Sequence, residues 1–301
     1  MRTFKQEESG SVLVMTGFSM LLILLLLGLV IDGGNMYVTK SHLQKTANAA
    51  ALSGAQEIPA SETAVKNVVE EIIGSHNETG SLLAADVSGN ELQVRLGRSV
   101  PLFFGSLFGQ EAMTLEVEAK AGIDPIASGI GAVPLGINES IPLVYGQEYE
   151  LKVDSGDSEA GNFGVLALAG PGAQNYENSL MHGFQQELKI GDIVPTQTGN
   201  IAGATRKGIN HRIDTCPYPD GDYQQRDCPR VMLVIVYKPH EKSTNQLKSI
   251  RITGFAYFYV SERMGSNDDS IRGTFIRRTG PGTAGEQPAP DKGAYTVRLK
   301  R

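Results

Sequence analysis

The feature that most constrains the fold is an uncharged run of 23 residues between Glu8 and Asp32. Eight of the 21 residues in 11–31 are leucine. A helix of that length rises about 31 Å, which matches the hydrocarbon thickness of a bilayer. We therefore predict a transmembrane helix over residues 11–31, with residues 1–10 as a cytoplasmic N-terminus.

A cleaved secretory signal is the alternative interpretation of this run. Such a signal has a net positive start and an apolar core of about 7 to 15 residues. Here Arg2 and Lys5 are offset by Glu7 and Glu8, and the apolar core is longer. These features favour an uncleaved anchor in the lipid bilayer.

The orientation of this span depends on the two cysteines, because basic residues are balanced on its two sides. Cys216 and Cys228 bracket an eleven-residue loop rich in turn-forming residues, which lets their side chains meet. A disulfide between them indicates an oxidising compartment. This predicts a single-pass membrane protein whose residues 32–301 are extracytoplasmic. The alternative is two unpaired cysteines in a cytosolic loop.

The apolar run leads directly into a second helical pattern. Small and apolar residues follow at three- and four-residue steps, which predicts that one helix continues to Gly54 or Pro59. They are Met36, Tyr37, Leu43, Ala47, Ala50 and Ala51. A stripe of small residues allows close approach of another helix or sheet. That neighbour is either the domain that follows or another subunit.

Residues 32–128 are predicted to combine this stem with a small α+β module. A second helix is expected over residues 61–76, followed by strands at 91–97 and 113–119. Between the strands, PLFFGSLFG indicates a short helix that begins at Pro101 and ends at Gly109.

Residues 129–278 read as a mostly-β domain, so the fold class is α+β. Short apolar stretches such as YELKV, RVMLVIVY and IRGTFI alternate with clusters of Gly, Pro, Asp and Asn. Turn signals near residue 190 predict a curved sheet or small barrel, with bends at Gly199 and Gly203. Residues 279–301 are predicted to be a flexible tail with a last strand in AYTVRL.

Charge and motifs exclude several function classes. The net charge is -6, and the chain has no basic stripe with interleaved aromatics, so nucleic acid is not an expected partner. It lacks the phosphate-binding glycine loop, the Gly-x-Ser-x-Gly turn, HExxH and paired CxxC. The histidines at 42, 76, 182, 211 and 240 are dispersed. We therefore predict no catalytic, cofactor-binding or metal-binding residues, and no cofactor.

Two chemical alternatives remain open from the sequence. A cysteine transpeptidase would use Cys228 as nucleophile, His182 or His240 as base, and Arg230 or Arg251 as oxyanion partner. The second cysteine argues against it, because a disulfide would capture the nucleophile. The stretch VDSGDS resembles the von Willebrand type A metal site, with Gly156 where its first serine stands and Ser158 matching. The acidic residues Asp154, Asp157 and Glu159 are more typical of a solvated turn.

A stalked adhesin or ligand-binding domain is the main alternative function. Its binding face would combine GNFGVLALAG with the aromatics Phe255, Tyr257 and Tyr259. Alternate aromatics in a strand are more often one face of a core.

The segment from ESGSVLVMTGF to LSGAQEI resembles the N-terminal segment of TadG-like proteins of Flp, or Tad, pilus assembly. The likeness covers about the first 58 residues: an apolar span, an Asp-x-Gly step, an aromatic residue and an alanine-rich helix. The residues that carry it, here called the family motif, are Asp32, Gly34, Tyr37, Leu43, Gln44, Asn48, Ala49, Ala50, Ala51, Leu52, Gly54 and Ala55.

The resemblance implies a membrane-anchored, non-enzymatic structural or assembly component of the pilus or a related secretion system. Its partners would be other Tad membrane proteins or, through the stem helix, further copies of itself. Relation to type IV pilins also implies processing between Gly10 and Ser11. Met15 stands where pilins carry a glutamate, which argues against a role as the major pilin.

Overall fold

The computed structural model describes residues 9–154, 163–197, 201–218, 222–243 and 246–300. The chain forms two compact units. The first unit comprises residues 1–54, 65–121 and 299–301, and the second comprises residues 55–64 and 122–298. The fold class is α+β, as predicted: a long apolar helix precedes small helices and a mostly-β C-terminal region.

The first helix, α1, runs without a break over Ser9–Ala55. This confirms that the apolar run and the alanine-rich stretch belong to one helix. Its apolar N-terminal part is long enough and apolar enough to cross a membrane, and most of its large side chains are exposed. The second helix, α2, spans Glu62–Ser75, where Ser61 Oγ accepts the N–H of Ala64 at 3.1 Å.

Three strands complete the first unit: β1 (Leu82–Ser88), β2 (Glu91–Pro101) and β3 (Ala112–Pro125). They lie in the order β1-β2-β3, and β3 ends in the second unit. The predicted face of β2 is confirmed, because Leu92, Val94 and Leu96 are fully buried. Strand β1 was not predicted, since LLAADVS lacks clear alternation.

Eleven further strands occur among the described residues that follow β3. They are β4 (Ser128–Gly129), β5 (Ala132–Asn138), β6 (Glu148–Asp154), β7 (Phe163–Val165), β8 (Leu188–Lys189), β9 (Ile193–Pro195), β10 (Val231–Ser243), β11 (Gln246–Val260), β12 (Ser270–Ile276), β13 (Arg278–Thr279) and β14 (Ala294–Lys300).

Six of these strands close into a small barrel, which confirms one of the predicted arrangements. The order is β10-β5-β7-β6-β12-β11, and β11 pairs back to β10. Five of the six barrel strands lie in apolar stretches that indicate strands in the sequence. Closure of the barrel was not predictable in detail, because it depends on pairings between distant segments, such as Ser270 with Lys152. Strand β9 adds to the barrel along β11.

Aromatic rings fill the middle of the barrel. Phe163 of β7 contacts Phe258 of β11 edge-to-face at 5.2 Å between ring centroids, although these strands are not neighbours. Phe275 of β12 lies 4.9 Å from Phe258. The contact between non-adjacent strands crosses the barrel, so its interior is packed with side chains.

Two helices of the second unit were not predicted: α3 (Ala173–His182) and α4 (Ala202–Asp214). The prediction of a bend at Gly203 was wrong, because Gly203 lies inside α4; Gly199 lies outside the described residues. The buried face of α4 includes Thr205, Gly208 and Arg212, so it lacks the apolar period that signals a helix.

The C-terminal segment follows an irregular path before its last strand. Thr283 donates its N–H to Ser128 O at 2.9 Å, and Thr296 Oγ1 donates to Gly282 O at 2.9 Å. Strands β13 and β14 pair in parallel through Arg278 with Ala294.

Candidate functional site

The buried face of α1 carries much of the family motif. Leu43, Ala50 and Ala51 have no solvent exposure. Gln44 Nε2 donates to Glu118 O of β3 at 2.9 Å and to Asn48 Oδ1 at 3.0 Å. These residues therefore pack α1 against the other elements of the first unit.

Gly54 marks the closest approach on this face. A Cβ at this position would lie 2.6 Å from Val69 Cγ2 of α2 and 2.7 Å from Leu92 Cδ2 of β2. Only a residue without a side chain fits there. Of the two neighbours that the sequence left open, the chain's own α2 and β2 cover this part of the stripe.

Two other motif residues are not covered by any part of the chain that the structure describes. A Cβ on Gly34 would have no atom within 4 Å, and Tyr37 is 76% exposed. Packing among the described residues therefore gives no reason for a glycine or an aromatic residue at these positions. Self-association through this part of the stem stays a prediction.

Asp32 ties α1 to a distant segment of the first unit. Its Oδ1 accepts the N–H of Phe103 at 2.8 Å, and its Oδ2 accepts those of Phe104 and Gly105 at 3.0 and 2.8 Å. Burial raises the pKa of this carboxyl, but the three backbone hydrogen bonds outweigh burial and hold the pKa below its ordinary value. Asp32 is therefore an ionised cap for residues 103–105.

Residues 102–109, here called the apolar loop, contain a single-turn 3-10 helix at Gly105–Phe108. The prediction of its end at Gly109 is confirmed, since Gly109 adopts the left-handed conformation with φ 80°. The predicted start at Pro101 was wrong, because Pro101 is the last residue of β2. The turn begins at Gly105, and Asp32 accepts the N–H groups of Phe103, Phe104 and Gly105 at its start.

The apolar loop packs against the apolar part of α1. A Cβ on Gly28 would lie 2.4 Å from Phe104 Cγ, so the Phe104 ring rests directly on the helix backbone. By contrast, the side chains of Phe103, Leu107 and Phe108 are 65%, 74% and 73% exposed. An apolar surface thus extends from the exposed helix to this loop.

The two cysteines stand at the two ends of the loop that precedes β10. Cys216 Sγ and Cys228 Sγ are 3.8 Å apart, which is longer than a disulfide bond. Burial is the main cause that raises the pKa of the Cys228 thiol. The proximity allows the predicted disulfide, which stays a prediction.

The residues of the transpeptidase alternative occupy separate environments. The His182 ring contacts the His211 ring edge-to-face at 5.4 Å, and His240 is exposed on β10. Arg230 lies near Tyr259, and Arg251 Nη1 donates to Gly191 O. A nucleophilic cysteine needs a lowered pKa, whereas that of Cys228 is raised. This arrangement does not form a Cys-His pair among the described contacts.

No group of three or more His, Cys, Asp or Glu side chains suited to a metal occurs among the described residues. Asp157, Ser158 and Glu159 of the VDSGDS stretch lie outside them, and only the backbone of Asp154 is described. His42 and His76 lie in the first unit, where His42 Nε2 is 3.4 Å from the buried Glu78 carboxylate.

The aromatic face proposed for a ligand-binding domain is part of the core. Phe255, Tyr257 and Tyr259 are at most 9% exposed and pack in one hydrophobic cluster. The core interpretation favoured by the sequence is therefore confirmed for these three residues, and the alternative of an exposed binding face is wrong. GNFGVLALAG contributes Phe163, which is fully buried.

A different surface of the second unit combines arginine and tyrosine side chains. It is a groove of about 540 Å³, lined in part by Tyr145, Tyr223, Tyr259, Arg226, Arg277 and Arg278. The Arg277 guanidinium lies 4.7 Å from the centre of the Tyr145 ring. This groove was not predicted, since its residues come from separate segments.

Residues 10–57 match the Flp pilus-assembly TadE/G-like family. Residues 37–121 match a second family, described as Tad-like Flp pilus-assembly. Neither a curated protein nor a solved structure matches the chain. The TadE/G-like match begins in the apolar part of α1 and includes Asp32 and Gly54, and the second match includes the apolar loop. These matches support a role related to Flp pilus assembly.

Proposed function

We propose that the chain is a membrane-anchored, non-enzymatic structural or assembly component of a Flp (Tad) pilus or a related envelope secretion system. The match of residues 10–57 to the TadE/G-like family carries the proposal. The uninterrupted α1, which joins an apolar span to a domain-bound stem, supports it. Residues 1–10 lie in the cytoplasm and residues 32–301 lie outside it. The partners are other Tad membrane proteins.

Topology is tested with single cysteines in a chain whose two natural cysteines are replaced by serine. Asn90 lies in the exposed turn between β1 and β2. We expect Asn90→Cys to react with a membrane-impermeant maleimide in spheroplasts, and Thr3→Cys, made together with Gly10→Val so that residues 1–10 are retained, to react only after permeabilisation. The reverse pattern would show the opposite orientation.

The assembly role is tested by deleting the gene and counting surface pili. We expect pili to be lost and to return with the full chain. Comparison of Cys216→Ala with Cys228→Ala distinguishes a structural disulfide from a catalytic cysteine. A disulfide makes the two variants equivalent, whereas a nucleophile makes only Cys228→Ala inactive. Normal piliation of the deletion strain would refute the proposed role.

Processing and oxidation are tested together by intact mass before and after reduction. We expect the loss of residues 1–10 and two thiols that alkylate only after reduction. Gly10→Val should abolish the cleavage. A full-length mass in the wild-type chain would refute processing, and freely reactive thiols would refute the disulfide.

A ligand-binding domain on a stalk is the second candidate, and the arginine and tyrosine groove is the observation that favours it. Tyrosine faces suit sugar rings, and arginine suits carboxylates. Binding of acidic glycans that Arg277→Ala weakens and the exposed-site control Lys207→Ala leaves intact would support it. Absence of binding across a broad glycan panel would refute it.

A further inference from the structure

The apolar loop has the composition of a lipid-facing segment. From Ser99 to Gln110 the chain has no charged residue. Phe103, Leu107 and Phe108 all expose more than half of their surface. Scattered single apolar residues are normal on a protein surface, but a contiguous group of large ones marks an interaction site.

Most backbone N–H groups of the apolar loop also have hydrogen-bond acceptors within the protein, as a lipid environment requires. In lipid, each backbone polar group needs a partner within the protein. Asp32 accepts three N–H groups of the loop, as described above. Three more donate to backbone carbonyls, namely those of Leu102, Leu107 and Gly109, and the N–H of Gln110, directly after the loop, donates to Gly105 O. The loop therefore exposes apolar side chains while most of its donors are satisfied.

The position of the loop along α1 gives its depth. Phe104 rests on Gly28, which lies four residues before Asp32, about 6 Å along the helix axis. Gly28 is within the span predicted from the sequence, residues 11–31. The Phe104 ring is thus level with the last turn of the membrane helix.

The path of β2 leads to the same conclusion independently. Leu92, near the start of β2, touches Gly54, which is 22 residues or about 33 Å beyond Asp32 on α1. From Leu92 to Pro101, β2 extends nine residues, about 30 Å. The strand therefore runs back along the stem and delivers the loop to the level of Asp32.

We propose that the apolar loop inserts into the outer edge of the bilayer beside α1, so that Phe103, Leu107 and Phe108 contact lipid acyl chains. The first unit then has two membrane contacts, the helix and the loop, and Asp32 joins them. This inference rests on the proposed membrane anchoring. The partner is the lipid itself, because the loop surface is continuous with the exposed apolar surface of α1.

The chain contains no tryptophan, so one introduced tryptophan reports its own surroundings. Three variants of the full chain are reconstituted separately in phosphatidylcholine vesicles, with and without lipids brominated along the acyl chains. Phe108→Trp reports on the loop and Phe18→Trp on the span. Asn90→Trp is the matched control, since it lies at the opposite end of β2 in the same unit.

We expect blue-shifted emission and strong quenching by brominated lipid for Phe108→Trp and Phe18→Trp, and neither for Asn90→Trp. Lipid brominated near the headgroup should quench Phe108→Trp more than lipid brominated near the chain end. Quenching of Phe18→Trp alone would overturn the loop inference and leave the anchor intact. Blue-shifted but unquenched Phe108→Trp would also overturn it, because a protein surface would then cover the loop. Absence of quenching in Phe18→Trp would refute the anchor and, with it, the proposed function. Since Phe108 is largely exposed, its replacement should not disturb folding; Leu107→Trp provides an independent second reporter.

Discussion

Gly54→Ala tests how closely α1 packs on its own unit. The added Cβ would lie 2.6 Å from Val69 Cγ2, whereas ordinary contact begins at about 3.4 Å, so the neighbours must move by about 0.8 Å. Overpacking of this kind costs about 1–3 kcal/mol. The higher helix propensity of alanine offsets at most about 1 kcal/mol of this cost, and less near the end of a helix.

Gly34→Ala is the matched control in the same helix. Nothing lies within 4 Å of its added Cβ, so only the favourable propensity term applies. The two variants should therefore differ in the stability of the α1–α2 contact by about 1–3 kcal/mol. That difference corresponds to about 5- to 150-fold in the opening equilibrium.

Amide hydrogen exchange followed by mass spectrometry measures this opening in the full chain in detergent micelles. Residues 65–75 of α2 should exchange faster in Gly54→Ala than in Gly34→Ala, by the ratio above. Gly54→Val should enlarge the effect, because its side chain is larger and branched. Equal exchange in the two alanine variants would show that α2 does not pack against Gly54.

Three further perturbations concern the second unit. Oxidising Cys216 and Cys228 to a disulfide should raise the unfolding free energy of the second unit by about 3 kcal/mol. The oxidised sample should then have a higher denaturation midpoint than the reduced one, and equal midpoints would refute this stabilisation. Burial raises the pKa of Tyr257 to about 12, above its unfolded value of about 10. The neutral phenol of Tyr257 therefore stabilises the unit fully below a pH of about 10, and this stabilisation is lost as the pH rises to about 12. Over that range the unfolding free energy of the wild type should fall by about 3 kcal/mol more than that of Tyr257→Phe. An equal fall in the two proteins would contradict this. Arg212 Nε and Nη1 donate to Leu180 O and Pro229 O, so Arg212→Met should destabilise the unit by about 1–3 kcal/mol in urea titrations, whereas Lys207→Met, at an exposed position of the same helix, should have little effect.

Sequence reasoning was most successful where one element alone carries a strong pattern. The length of α1 follows from its apolar run and the alanine-rich stripe, and β10 and β11 follow from long apolar stretches rich in branched and aromatic residues. Helix α4 escaped prediction because tertiary packing uses Gly208 as the contact point. A Cβ there would lie 2.7 Å from Leu180 Cδ2 of α3.

The candidate site illustrates a different limit. The family resemblance singled out Asp32, but its role depends on Phe103 and two neighbours more than seventy positions away. The only local signal is the uncharged, aromatic-rich stretch at the end of β2, whose sequence predicts a short helix. Its exposed side and its three bonds to one carboxylate appear only once β2 runs back along the stem.

Barrel closure has a consequence for the order in which the chain becomes folded. Strand β6 pairs with β7 on one side, but its partner on the other side is the distant β12, where Lys152 pairs with Ser270. In the proposed topology the chain is exported from the N-terminal anchor onwards. Strands β1 to β3 can therefore pair early, while the outer edges of β5 and β6 stay open until β10 and β12 have been translocated. During that interval the nascent second unit is most exposed to proteases and mispairing. Slow export of the last third of the chain should therefore lower its yield far more than slow export of the first third.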